Sequence, residues 1–316
     1  MTIRPLFILS LPRSGSTLVQ RVISSDPAVS TAAEPWLLLP QLYALRDRGA
    51  VAEYGHGPAA RAIGDFARTL PGGERDYLAE LRRFTLGLYE RAARPGSTYF
   101  LDKTPRYHLV AEDLFRVFPD GKFVFLWRNP LAVAASIIQT WASDKWTFGR
   151  WRVDLYKGVA GLVAAYRDHA PVACAVTYEE LVMQPAPSWG RVFDYLGLTF
   201  DPHLLHNLAP APGGGRMGDR MGSGAYPKLD SAPVGKWVQT FGNAYRKRWA
   251  RGYLEWIGEE RLGVMGYDLG TLLKELEAVP TSRRLLPSDV ARSAYAWVEG
   301  SRRRSVFRKL SGPGRW

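Results

Sequence analysis

Apolar positions along this chain fall into two rhythms. Short, nearly unbroken runs at Ile3–Ser10, Thr98–Asp102, Lys122–Trp127 and Val172–Tyr178 are rich in the β-branched and aromatic residues of buried strands. Each run gives way to a stretch whose apolar residues recur every three or four positions. That spacing predicts helices at about 16–25, 34–47, 58–69, 74–93, 106–117, 130–142, 151–168, 186–196 and 240–262. Strands alternating with helices predict an α/β chain with a mainly parallel central sheet flanked by helices. Residues 211–236 break the pattern, being too glycine-rich for regular structure, and Pro280 and Pro287 mark an expected end to the compact part. The chain thus divides into a domain over 1–270 and a basic C-terminal helical extension or tail over 271–316.

Composition changes this picture in two places. No apolar run reaches the ~18–20 residues of a membrane-spanning helix. The first run, PLFILSL after Arg4, leads straight into Arg13-Ser14-Gly15 with no small-residue cleavage pattern, so it is read as a strand and not as a secretory signal. Cys174 is the one cysteine, in the run PVACAVTY, and is expected to be a buried structural thiol. These features together lead us to expect a cytoplasmic enzyme. The net charge of +12 is uneven: residues 281–316 hold nine Lys/Arg against two Asp/Glu, more than half of the excess. Positive charge of this kind suits anionic ligands, nucleic acid or an anionic membrane surface, and does not choose among them.

The first candidate chemistry lies where the first strand meets the first helix, in PRSGSTL at 12–18. Gly15 can take backbone angles that let amides wrap an anion. Ser16 and Thr17 open a helix whose unpaired N–H groups and partial positive charge favour phosphate, and Arg13 adds a planar fork of donors. The ATP-type loop GxxxxGK[ST] is not present, because the basic residue precedes the glycine and no glycine stands five positions upstream. A second site follows the strand KFVFLW. Arg128 ends it, Asn129 and Pro130 suit an N-cap and a first helical residue, and Ser136 places a hydroxyl two turns into the helix, near enough to share one anion with Arg128.

These segments resemble the sulfotransferases that use 3′-phosphoadenosine 5′-phosphosulfate (PAPS). The loop at 12–18 resembles that family's 5′-phosphosulfate loop, and Arg128 with Ser136 resembles its 3′-phosphate motif. LDKTPRYHL at 101–109 and VTYEELVMQPAPSWGRVFDYLGLTFDP at 176–202 resemble the branch of glycan, tyrosyl-protein and bacterial members. The likeness extends over about residues 3–265, with four motifs in the family's order. It implies a three-layer fold of the P-loop NTPase type. It also implies transfer of the sulfuryl group from PAPS, with 3′-phosphoadenosine 5′-phosphate (PAP) as product and no metal. In tyrosyl-protein and several bacterial members a glutamate about 21 residues after the loop's arginine is the base. That position here is Glu34, set among the apolar Ala32, Ala33, Pro35 and Trp36; a carboxylate at a helix start is the other reading of the same residue. By resemblance Lys103 reaches the oxygen between phosphate and sulfuryl, and His108 is the alternative base. Lys236, before Trp237, resembles a nucleotide-contacting lysine of tyrosyl-protein members, and 211–236, with Arg216, Arg220 and Lys228, would cover the site. His56, His169, His203 and His206 are read as structural.

The acceptor is not written in these motifs: a glycan, a glycolipid, a natural product or a phenol fits them equally. In the tail, Val290, Ala294, Trp297 and Val298 share a helical face ahead of Arg302, Arg303 and Arg304. That arrangement suits a helix packed on the domain with a solvated basic end, or peripheral contact with an anionic membrane. Nucleic acid is not an expected partner. Two rival functions remain at this stage, an ATP-dependent phosphotransferase on the same fold and a non-catalytic basic binder of RNA or membrane.

Overall fold

A computed structural model describes residues 3–147, 151–206, 208, 229 and 233–293. Its centre is a five-stranded sheet in the order β2-β3-β1-β4-β5, with every pairing parallel. The strands are β1 (Arg4–Ser10), β2 (Val29–Thr31), β3 (Tyr99–Asp102), β4 (Lys122–Trp127) and β5 (Cys174–Thr177). Four lie within the predicted runs; β2 was not predicted.

The alternation along β1 shows why the fold has three layers. Leu6 and Ile8 point to one face, packing with α1 (Ser16–Ile23) and, beyond the third strand, with residues of two later helices. Phe7 and Leu9 point to the other. Strand β4 does the same, with Val124 and Leu126 on the first face and Phe123, Phe125 and Trp127 on the second. A parallel sheet apolar on both sides has to be covered on both sides.

The second face receives α2 (Leu38–Tyr43), α4 (Glu74–Ala92), α5 (Ala111–Val117), α6 (Pro130–Trp141) and α7 (Val159–His169), while α3 (His56–Thr69) packs outside α4. The first face is completed by α8 (Tyr178–Met183) and α9 (Pro185–Leu196), through Leu181, Val182, Trp189 and Phe193. The second is closed by α10 (Ala244–Val264), broken at Gly258, and α11 (Leu269–Ala278), whose Leu272 and Leu276 enter the same core.

Several elements differ from their predicted form. The helix expected over 34–47 is confined to α2, so Glu34 lies in an irregular segment ahead of it and not at a helix start. The stretch expected as one helix over 106–117 is a 3₁₀ turn, Pro105–Leu109, followed by α5. Ahead of α7 the chain forms a π-helical turn, Val153–Gly158, where a Cβ on Gly158 would lie 2.7 Å from Leu11 and 3.0 Å from His108. The residue before the loop therefore presses directly on that backbone. Cys174, expected to be buried, lies half-buried on the edge strand β5. Residues 271–293 continue from the domain through α11, and beyond Pro280 the chain reaches Asp289, which is buried. The covering segment's Arg216, Arg220 and Lys228, and the tail from Ala294 on, lie outside the described residues. Among those described, no helix is long and apolar enough to cross a membrane.

Candidate active site

Parallel strands bring their C-terminal ends to one edge, and in open α/β sheets ligands bind there. The candidate residues follow this rule. Arg13 and Gly15 come after β1, Glu34 after β2, Lys103 after β3, Arg128 after β4 and Tyr178 after β5.

The loop after β1 is shaped by two left-handed residues, Arg13 at φ 68° and Gly15 at φ 95°. Gly15 serves as the N-cap of α1 without any side-chain cap, so the amides of Ser16 and Thr17 at the helix start are suited to an anion, while that of Leu18 turns back to the Gly15 carbonyl. Glycine is required for a second reason: a Cβ there would lie 2.4 Å from Cδ2 of Tyr178. Ser14 and Ser16 are buried within the turn, while Thr17 is partly exposed. The Arg13 side chain crosses to α6, where Nε donates to Ser136 Oγ at 3.3 Å and the guanidinium lies 5.9 Å from the ring of Trp141.

Arg128 is held against the back of this loop. Its Nη1 donates to the Arg13 carbonyl at 2.9 Å and its Nη2 to the Pro233 carbonyl at 3.4 Å. The guanidinium lies 4.4 Å from the Tyr178 ring centre, and its Nε, though buried, has no partner among the described residues. Burial lowers its pKa, opposed by the nearby Tyr178, Glu179 and Tyr267. Next to it, Asn129 caps α6 as predicted, its Oδ1 accepting from the amides of Leu131 and Ala132. The Asn129 amide in turn donates to Glu179, whose other carboxylate oxygen accepts from the Tyr267 hydroxyl at 2.7 Å. Arg13, Gly15, Arg128 and Ser136 therefore form one cluster.

Glu34 and Lys103 form a second, one strand away. Lys103 Nζ donates to Glu34 Oε1 at 2.9 Å, with side chains 4% and 10% exposed. Trp36 Nε1 donates to the other oxygen at 3.3 Å. Beneath them Asp102 accepts from the hydroxyls of Tyr89, Tyr107 and Thr104 at 2.6, 2.8 and 2.9 Å. Because the carboxylate takes those protons, the hydroxyl oxygens of Thr104 and Tyr107 are free to accept from the amides of Trp36 and Leu38. The segment bearing Glu34 is thus tied down at Trp36 and Leu38. From the other direction Gln20 of α1 donates to Thr31 and to the Ala32 carbonyl, both at 2.8 Å. Burial raises the Asp102 pKa, against the hydroxyl bonds and Lys103, which lower it.

Two predicted residues stand apart. The His108 imidazole is fully buried, bonded through Nε2 to Asp154 Oδ1 at 2.8 Å, and Asp154 also pairs with Arg106. Lys236 is exposed in the turn Lys236–Gln239; of its neighbourhood, Pro233 is what meets Arg128. Sequence reasoning quoted Tyr107, Tyr178 and Glu179 within motifs but gave them no role, and it passed over Gln20, Tyr89 and Tyr267. Their partners lie on other strands and helices, which no local spacing reveals.

Comparison with known proteins adds the family. The Sulfotransferase family model matches residues 5–202, more than half of the chain. The nodulation protein NoeE of Sinorhizobium fredii is 35% identical over 136 residues, covering 43% of this chain and 31% of that protein. Protein-tyrosine sulfotransferase 2 of Gallus gallus is 24% identical over 248 residues, 74% of this chain and 62% of that one. The chain therefore spans less than two thirds of the length of either relative. Among solved structures, the sulfotransferase domain from the curacin biosynthetic pathway is similar at 21% identity, covering 75% of this chain and 90% of that one, with a TM-score of 0.49. A family match that begins in β1 and runs past α9, over a five-stranded parallel sheet, places this chain in the Sulfotransferase family.

Proposed function

We propose that this protein transfers the sulfuryl group of PAPS to a hydroxyl or amine of an acceptor, releasing PAP. The observation that carries the reading is the Arg128 guanidinium. It is half-buried, its buried Nε lacks a partner among the described residues, and carbonyl bonds of 2.9 and 3.4 Å fix it beside the loop whose arginine reaches Ser136. An orphaned buried donor is costly unless a ligand satisfies it, and a 3′-phosphate oxygen would do so. The amides at Gly15, together with Ser14, Ser16, Thr17 and Arg13, suit the 5′-phosphosulfate.

On this reading Glu34 accepts the acceptor's proton as the acceptor oxygen forms its bond to sulfur. The bond from sulfur to the bridging oxygen breaks, and its electron pair stays on the phosphate. Lys103 and Arg13 supply the positive charge that stabilises the departing phosphate oxygen. The Lys103–Glu34 contact holds the two groups ready on opposite duties, a cation for the leaving oxygen and an anion for the proton. His108 is a poor candidate for the base, because its imidazole is sealed against Asp154 and Gly158. Glycans, glycolipids and small natural products all remain suitable acceptors. The rival ATP-dependent phosphotransferase lacks the second glycine and the lysine of its loop.

The test is calorimetry with PAP, ATP and AMP on wild type and Arg128→Ala. The expected result is tight PAP binding, weak ATP binding, and a loss of about 1.5–3 kcal/mol for PAP in the variant, the worth of a charged hydrogen bond. PAP binding no better than AMP would remove the assigned role of Arg128 and Ser136.

A further inference from the structure

Arg246, in the first turn of α10, is 2% exposed, and its guanidinium is bonded at every nitrogen. Nε and Nη2 donate to the two carboxylate oxygens of Asp289 at 2.7 and 3.2 Å. Nη1 donates to Asp144 Oδ1 at 2.8 Å and to the Thr240 carbonyl at 3.1 Å, and Nη2 also meets the Asp144 carbonyl at 2.9 Å. The flat face of the group lies 5.0 Å from the ring of Trp146. Asn243, the N-cap of the same helix, donates to the Asp289 carboxylate at 2.9 Å and to the Arg284 carbonyl at 3.1 Å. Asp289 is 1% exposed, yet residues 281–284 of its segment are exposed, and a polar cavity lined by Gln139, Asn243, Ser282 and Arg284 opens beside them. Ionic and polar bonds, more than apolar burial, fasten this segment to the domain.

The segments that meet at Arg246 are the ones that frame the anion site. Asp144 closes the turn after α6, where its amide donates to the Ile138 carbonyl at 3.0 Å, two residues beyond Ser136. Ser143 and Asp144 both take left-handed angles to make that turn. Thr240 follows the turn Lys236–Gln239, and its hydroxyl accepts from Gln139 of α6 at 2.7 Å. The upstream end of the same segment, Pro233, accepts from Arg128. Arg246 therefore fixes the end of α6 and residues 233–240 to one another, with Asp289 completing its coordination.

We propose that Arg246 and Asp289 are positioning residues for the anion held by Arg128 and Ser136, which makes the C-terminal segment up to Asp289 a working part of nucleotide binding. The proposal rests on the sulfotransferase reading for the identity of that anion as a 3′-phosphate. None of the clasp's bonds reaches the loop at Gly15, whose links to Arg128 and Ser136 run through Arg13, so the clasp's direct effect falls on the 3′-phosphate side.

The experiment is calorimetry with PAP and with AMP, which lacks the 3′-phosphate, on the full chain as wild type and as Asp289→Asn, at a temperature where melting curves show both folded. The variant should bind PAP about tenfold or more weakly, within the usual range of coupling between sites, with AMP affinity unchanged. A merely structural clasp lowers the melting temperature and leaves the PAP-to-AMP ratio alone, which overturns the proposal. A wild type with no preference for PAP over AMP overturns the reading of Arg128 and Ser136, and this proposal with it. A preference of undiminished size in Asp289→Asn overturns this proposal alone. Should the variant not fold, hydrogen exchange on wild type decides: by reciprocity PAP, but not AMP, must slow exchange of amides in 282–290. Equal exchange with both ligands overturns the proposal.

Discussion

Removing one charge of the Lys103–Glu34 pair should cost much more than removing both. With side chains 4% and 10% exposed, the pair is shielded from water, so Lys103→Met strands a carboxylate beside an indole N–H and Glu34→Gln strands an ammonium. Breaking a buried pair on one side costs about 3–5 kcal/mol. An unfolding entropy of roughly 2.1 cal/mol/K per residue, applied to 316 residues, means that each kcal/mol lowers the midpoint by about 1.5 °C. Either single variant should therefore melt about 5–8 °C below wild type. The double variant strands no charge and should recover at least half of that loss in scanning calorimetry. Transfer of labelled sulfate from PAPS should be abolished in all three, so stability returns without activity. A double variant whose loss equals the sum of the singles would show that the two groups do not interact. An active double variant would show that neither performs the assigned chemistry.

Two further outcomes follow from local geometry. Gly15→Ala should weaken PAP binding at least tenfold, because a left-handed backbone and a 2.4 Å approach to Tyr178 together cost about 2–4 kcal/mol in the loop; an unchanged dissociation constant in calorimetry would refute it. Burial pushes the Cys174 thiol up to about 11 from 9.0, so the folded state keeps its proton through that window while the unfolded chain loses it. Stability should fall as pH rises from 9 towards 11. Alkylation by iodoacetamide should be slow at pH 8 and keep accelerating beyond pH 10, and a rate that levels off near pH 9 contradicts the assignment.

The parts of the fold that were legible in the sequence are those whose cause is local. β1 and β4 are apolar on both faces, so unbroken runs announce them, and Asn129-Pro130 announces the start of α6. Strand β2 has three residues, of which Thr31 is partly exposed, and so leaves no run to detect. Helix α8 starts with a capping box formed by Thr177 and Glu180, a local signal hidden by the apolar run that precedes it. The π-helical turn has no local sequence signature, and the Gly158 within it packs closely against Leu11 and His108 from elsewhere in the chain. In the site, charge, glycine and capping signals pointed to Arg13, Gly15 and Arg128, and the family resemblance to Lys103. The anchoring of Glu34 was invisible because it needs Asp102 to collect hydroxyls from Tyr89 and Tyr107, and those bonds exist only once β3 lies beneath α4. The burial of His108 has the same kind of cause, its partner Asp154 being 46 residues away.

Tyr178 touches the molecule at two points that matter together: its ring edge fills the space over Gly15 and its face lies against Arg128. A rigid aromatic plate between the two binding elements works as a gauge block. On the proposed reading it would set the separation at which a pair of phosphates is gripped at once, and neither loop can draw closer without displacing it. Nucleotides that carry the same number of phosphates on a different ribose carbon would then be sorted by span, before any base or acceptor is read. Trimming the plate, more than altering either arginine, is the route by which such a site would come to accept a different spacing.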